Sequence, residues 1–241
     1  MNRGIQLLRM AAGARGLPNV TDGLVSWWKF DDGSGSTAVD SAGSNDGTLV
    51  GPPDWVTGKI GGALDFDGVG DRVSVGTMGD YGSTKLTTGT ISMWIKTTDT
   101  SSITALTGVF NTGINTALAI YSIIDGNHLG FYLRANGGNE LYKKATSDPE
   151  VRDGAWHHVA WSWDGPSNAV SIYVNGEGVS VSSITTNSPN SFSNFGFSLV
   201  FGARNLRGTM QFHTNTAMDD VRIYDRILSA AEIATVYNWR P

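Results

Sequence analysis

The side chains with chemical potential in this 241-residue chain are mostly aspartates set in glycine-rich stretches: Asp31, Asp40, Asp46, Asp67 and Asp71, with Asp219 far downstream. Hard oxygens of this kind suit two chemistries, proton transfer between paired carboxyls and coordination of calcium, which takes about six to eight oxygen ligands. The first is poorly served. Glycoside hydrolysis needs two carboxyl groups flanking the bond, about 5–5.5 Å apart for retention or 6.5–9.5 Å for inversion. Yet Glu140, Glu150, Glu177 and Glu232 each stand alone. No Gly-x-Ser-x-Gly elbow, phosphate-binding glycine loop or His-Glu-x-x-His helix is present either. Asp65-Phe66-Asp67-Gly68 opens like an EF-hand loop, but the twelfth position is Gly76, where a bidentate glutamate is required.

His157 and His158 cannot chelate one ion on a regular strand, because neighbouring residues face opposite sides. The expectation here is structural: Trp156 and Val159 fill a core, and a histidine bonds a neighbouring strand or loop. Aromatics in polar loops offer a different function. Trp55 follows the rigid Pro52-Pro53-Asp54, and Phe192 and Phe195 sit in a Ser/Asn-rich stretch. Sugars present apolar C–H faces between hydroxyls, so an exposed ring beside Asn or Asp supplies stacking and polar contacts together. These three residues are the candidate ligand contacts; packing at the end of the fold is the competing role.

The elements that position these residues read as strands. From Asp22 onward, runs of four to seven alternating apolar and polar residues are separated by Gly, Asn, Asp or Ser, among them Leu24–Phe30, Thr90–Lys96, Trp156–Trp163, Ala169–Val174 and Met218–Tyr224. In Thr90–Lys96, Ile91, Met93 and Ile95 face one way and Ser92, Trp94 and Lys96 the other. Asp219 shares parity with Val221 and Ile223, which predicts a carboxylate on the interior side of its strand. Near the end, Ser229-Ala230-Ala231-Glu232 is a capping box for a short helix with Ile233, Val236 and Tyr237 on one face. Many antiparallel strands with almost no helix describe two packed sheets and a C-terminal rim helix.

Composition narrows the partners. Net charge is −5, and the 17 Lys and Arg form no run that could track a phosphate backbone, so nucleic acid is excluded. With no cysteine, disulfides and thiolate metal sites are ruled out. Apolar stretches fall far short of the roughly 20 residues of a membrane-spanning helix. Residues 1–21 read as an arm before one domain at 22–241. Within the arm, Met1–Gly16 carries Arg3, Arg9 and Arg15 around Ile5, Leu7, Leu8 and Met10; Gln6 and Arg9 interrupt any apolar run, so no cleavable signal peptide is expected.

Several phrases then resemble one family in order. Gly23-Leu24-Val25-Ser26-Trp27-Trp28-Lys29-Phe30-Asp31-Asp32-Gly33 looks like the opening of a laminin G-like, concanavalin A-like jelly roll, and Gly58-Lys59-Ile60-Gly61-Gly62-Ala63-Leu64-Asp65-Phe66-Asp67-Gly68 its second block. Asp153–Ala160 with Ile172-Tyr173-Val174-Asn175-Gly176 resembles its central hairpin, and Met218–Ser229 its last strand and rim helix. The resemblance implies an all-β, antiparallel two-sheet sandwich and a structural calcium tying loops of the first and last strands, held by Asp219 and Asp67 ahead of Asp31 and Asp40. Turn capping by the same aspartates is the alternative. The glucanases of this fold draw their carboxyls from a strand reading Glu-x-Asp-x-x-Glu, which this chain lacks.

The expected function is therefore a non-catalytic module that binds glycan or mediates adhesion at an extracellular surface. The alternative is a structural decoration protein of a virion or surface assembly, in which the basic arm docks on a protein partner or on another copy of the chain; a glycoside hydrolase comes last.

Overall fold

The computed structural model describes residues 18–77, 88–101, 103–110, 119–125, 128–134, 140–147, 150–186, 198–206 and 208–240. The arm Met1–Gly16 and the candidates Phe192 and Phe195 lie outside these described residues.

The first strands are β1 (Leu24–Trp28), β2 (Thr37–Ala38), β3 (Gly47–Val50), β4 (Asp54–Thr57), β5 (Gly62–Asp67) and β6 (Arg72–Thr77). There follow β7 (Thr88–Lys96), β8 (Ile103–Phe110), β9 (Ala119–Asp125), β10 (His128–Arg134), β11 (Glu140–Ser147) and β12 (Trp156–Asp164). The series closes with β13 (Ala169–Val174), β14 (Glu177–Thr186), β15 (Ser198–Phe201), β16 (Arg204–Leu206), β17 (Thr209–Gln211), β18 (Asn215–Tyr224) and the helix α1 (Ala230–Tyr237).

One sheet runs β4-β5-β18-β7-β12-β13-β14, with β1 beside the C-terminal half of β18. The other runs β2-β3-β6-β15-β8-β9-β10-β11-β14. β14 belongs to both, pairing with β13 at its start and with β11 beyond Val179, so the two layers join along one side. Pairing is antiparallel except between β8 and β16. This is the two-sheet jelly-roll sandwich expected from the sequence.

Alternation places the main core between the layers. Ile91, Met93 and Ile95 of β7 meet Val159, Trp161 and Trp163 of β12 and Phe131 and Leu133 of β10. Phe131 stacks on Trp163 with ring centroids 4.8 Å apart, and Trp28 meets Phe201 edge-on at 5.0 Å. The β13–β14 hairpin turns at Asn175-Gly176, both at positive φ (51° and 85°), as a tight turn between right-twisted strands demands.

The outward side of the first sheet is also covered. Trp27, Tyr224, Leu228, Ile233, Val236 and Trp239 form a second apolar cluster beneath α1, and Val20 is buried with them. Ser229 caps the helix as expected: its hydroxyl accepts from Glu232 N at 3.3 Å, and Glu232 Oε2 accepts from Ser229 N at 2.7 Å.

Candidate functional site

β18 carries the decisive irregularity. Its register against β7 slips between Asp219, opposite Trp94, and Arg222, opposite Ser92. Asp220 adopts a left-handed backbone (φ 52°), which a short Asp side chain tolerates. The extra residue of this bulge breaks the expected parity. Met218, Val221 and Ile223 enter the core between the sheets, while Asp219 pairs with outward-facing Trp94. Asp219 is fully buried, but on the side of the sheet that the helix covers rather than between the sheets.

Asp219 meets the turn that leads into β5. Its Oδ2 accepts from Ile60 N at 2.8 Å, and Asp31 Oδ1 accepts from Gly62 N at 2.8 Å. The turn lies so close that a β-carbon on Gly58 or Gly62 would collide with backbone, and one on Gly61, at φ 74°, with the Asp31 carboxylate. Asp219 Oδ1 has no hydrogen-bond partner among the described residues. Burial, reinforced by the nearby Asp220 and Asp31 charges, pushes its carboxyl up to about 8. Two carboxylates on one turn, one with an orphaned buried oxygen, fit a hard divalent cation. Among the described residues no three His, Cys, Asp or Glu side chains gather as a metal site, so backbone carbonyls and solvent would supply the remaining oxygens.

Asp67 and Asp40 are placed elsewhere. Asp67 lies opposite Asn215, four residues along β18 from Asp219, or about 13 Å of extended strand. Its Oδ1 accepts from Val69 N at 2.7 Å and Gly70 N at 3.1 Å, and these bonds hold its carboxyl below the usual carboxylate range. Asp40 Oδ1 accepts from Trp27, Ala42 and Gly43 amides and Oδ2 from Asn45 N. Asp46 takes Asp40 N, and Asp71 takes Asp67 N. The structure thus brings Asp31 and Asp219 together and sets Asp40 and Asp67 in separate turns.

The two histidines diverge. His157 Nε2 donates to Asp153 Oδ1 at 2.9 Å, the tautomer following from Asn175 Nδ2, which donates to His157 Nδ1 at 3.2 Å. His158 is buried against Trp94 and Tyr237, at centroid distances of 5.4 and 6.0 Å. Burial first, then the Arg222 and Arg240 charges, lowers its pKa to about 3.

Trp156 departs from expectation. It has the parity of His158 and Ala160, opposite to Val159 and Trp161, so it stands on the outward face, half-buried, and does not fill the sandwich. Register places Trp156, Lys96, Ala217, Asp65 and Asp54 in one row across β12, β7, β18, β5 and β4. The row crosses a groove of about 260 Å³ whose walls include Trp156, Lys96, Asp65, Val56, Thr98 and Asn215. Trp55, the aromatic singled out by sequence, is half-buried against the main core and donates its indole N–H to Gly35 O at 3.3 Å.

Known proteins share this architecture. The binding domain of Paraclostridial Mosquitocidal Protein 1 superposes with a TM-score of 0.70 at 14% identity, covering 91% of this chain and 52% of that one. Domain 4 of AbnA, a GH43 extracellular arabinanase from Geobacillus stearothermophilus solved with arabinotriose, gives 0.66 at 23% identity, covering 89% of this chain and 98% of that one. A sushi, von Willebrand factor type A, EGF and pentraxin domain-containing protein of Rattus norvegicus is 31% identical over a 93-residue alignment that covers 36% of this chain and only 2% of that protein. The sequence pattern of one family runs through residues 67–234, from the Asp67 turn through both sheets into the rim helix, and by that match the chain belongs to the Concanavalin A-like lectin/glucanases superfamily.

Proposed function

We propose that this protein is a non-catalytic carbohydrate-binding module. The observation that carries the reading is where the carboxylates go. Asp40, Asp46, Asp67 and Asp71 spend their oxygens on backbone amides, Glu232 closes the helix cap, and Glu150 accepts from Arg152 N at 2.8 Å. Carboxylates that hold turns together build a scaffold rather than a reacting pair. The arabinanase domain that matches over nearly its whole length was solved with an arabino-oligosaccharide, which supports sugar as the ligand class. No helix among the described residues is long and apolar enough to cross a membrane.

A cation belongs to this reading in a structural role. Asp31 and Asp219 would hold it, and calcium there would supply the charge that lets the buried Asp219 carboxyl ionise. A glycan array run with and without calcium tests the function. Binding to a defined sugar set is the expected result; failure to bind any glycan would overturn the module reading and favour a protein partner at a surface assembly.

A further inference from the structure

In the outward groove of the first sheet an aromatic ring, a cation, a carboxylate and an amide side chain converge. Its floor is Ala217, a small side chain between Lys96 on one neighbouring strand and Asp65 on the other. A larger residue there would fill the space. Among the described residues neither Lys96 nor Asp65 has an ion-pair partner. Their charges still sense each other: partial desolvation at the groove wall and the Asp54 charge raise the pKa of the exposed Asp65, and Lys96 pulls it down. The groove therefore presents one acceptor-rich and one donor-rich wall with little net charge between them.

Its rim is fixed before any ligand arrives. Thr97 Oγ1 donates to Asn215 O at 2.7 Å, Asn215 N donates to Asp99 Oδ2 at 3.3 Å, and Gly154 N donates to Thr97 O at 3.0 Å. These bonds tie together the ends of three chain segments that frame Trp156, so little ordering remains to be paid on binding. A volume of about 260 Å³ is slightly under the roughly 300–1,000 Å³ of sites for drug-sized molecules and suits one or two sugar rings.

The geometry points to this groove as the subsite for a neutral oligosaccharide, with one ring lying against Trp156 and its hydroxyls shared between Asp65, Lys96 and Asn215. The inference rests on the carbohydrate-binding reading and names its site. A carboxylate accepts from vicinal hydroxyls, an ammonium donates to them, and an indole face covers the C–H side of the ring, so the wall chemistry matches a polyol. A uronic or sialic acid would gain from Lys96 but lose against Asp65 and Asp54, so the walls favour the uncharged sugar.

The test is titration of the full chain with arabinotriose, xylotriose, cellotriose and mannotriose, followed by calorimetry and tryptophan fluorescence. The sugar that binds the native protein should bind Trp156→Ala about tenfold more weakly, and Asp65→Asn should weaken it severalfold with an unchanged melting curve. Asp65 is exposed, so that second variant keeps the test decisive if Trp156→Ala folds poorly. Native protein that binds a sugar which both variants bind equally well would overturn the groove and leave the module reading standing. Native protein that binds none of the four, nor any glycan on an array, would remove both.

Discussion

Arg222 lies 2.9 Å from Asp220, two residues away on the same strand, and both side chains are buried. The guanidinium also lies over the rings of Trp27 and Trp239, at 4.5 and 4.8 Å. Trp27 Nε1 donates to the same carboxylate. The pair thus pins the bulge that aims Asp219 at the Lys59–Gly62 turn. Removing one partner of a buried ion pair costs about 3–5 kcal/mol, because the other charge remains without compensation. Asp220→Ala and Arg222→Met should each lower stability by that order, and the double variant by less than the sum. Urea unfolding of the four proteins measures it; additive losses below about 1 kcal/mol each would show that the pair does not hold the bulge.

Calcium should raise the melting temperature of the native protein and chelator should lower it. A ligand bound only by the folded state adds about 2.7 kcal/mol at a hundredfold excess over its dissociation constant, and each kcal/mol is worth roughly 2–4 °C for a chain of this size. Asp219→Ala and Asp31→Ala should lose the response. Asp67→Ala should keep it and melt lower with or without calcium, because it loses turn bonds only. Identical melting in calcium and in chelator would return Asp31 and Asp219 to turn holding alone.

His158 makes stability pH-dependent. Its folded pKa is about 3 against an ordinary 6.5, so the unfolded chain takes up a proton first as pH falls. The contribution is complete above pH 6.5 and is lost as pH drops toward 3. Asp219 without a cation acts in the opposite sense, favouring the fold below its ordinary value near 3.8 and losing that stability as pH rises through about 8. Comparing the native protein with His158→Phe isolates the histidine. By pH 4 the native protein should have lost on the order of 3 kcal/mol relative to the variant. Parallel stability curves from pH 7 to 4 would contradict it.

The helix cap is a second acid-sensitive joint. Arg226 reaches Glu232 at 2.6 Å, and although burial opposes it, the bonds from Arg226 and Ser229 bring the Glu232 pKa down to about 2. This contribution is present above about 4.5 and disappears as pH falls toward 2. Ser229→Ala should cost about 0.5–2 kcal/mol. Hydrogen exchange at the amides of α1 should rise with no change in the main core; uniform acceleration everywhere would mean that the helix and sandwich open as one unit.

Legibility in the sequence followed local rules. The capping box and the alternating strands β1, β7, β12 and β13 were readable because capping chemistry and period-two burial leave a mark in a few adjacent residues, and the Asn175-Gly176 hairpin through the family resemblance. β8, β11 and β14 were harder: β8 has a register shift between Ala105 and Thr107, β11 carries Lys143 and Lys144, and half of β14 is Ser and Thr. Asp219 was recognised as buried, but a single inserted residue reversed its direction, and nothing local announces a bulge at Asp220. Trp156 did carry a signal, since residues three apart on a strand face opposite ways and Val159 belongs to the core. The groove itself depends on five strands in register, a long-range property that no segment contains.

The second apolar cluster has a consequence for how such a unit can be used. Val20 is buried with Trp239, and Arg226 donates to Asn19 O at 3.4 Å and to Asp22 O at 2.9 Å. The chain therefore enters β1 and leaves α1 at neighbouring points on the first sheet. A body whose two ends meet can be spliced into a loop of a host chain without prying that loop apart, and its ends can be joined and reopened elsewhere with the sandwich intact.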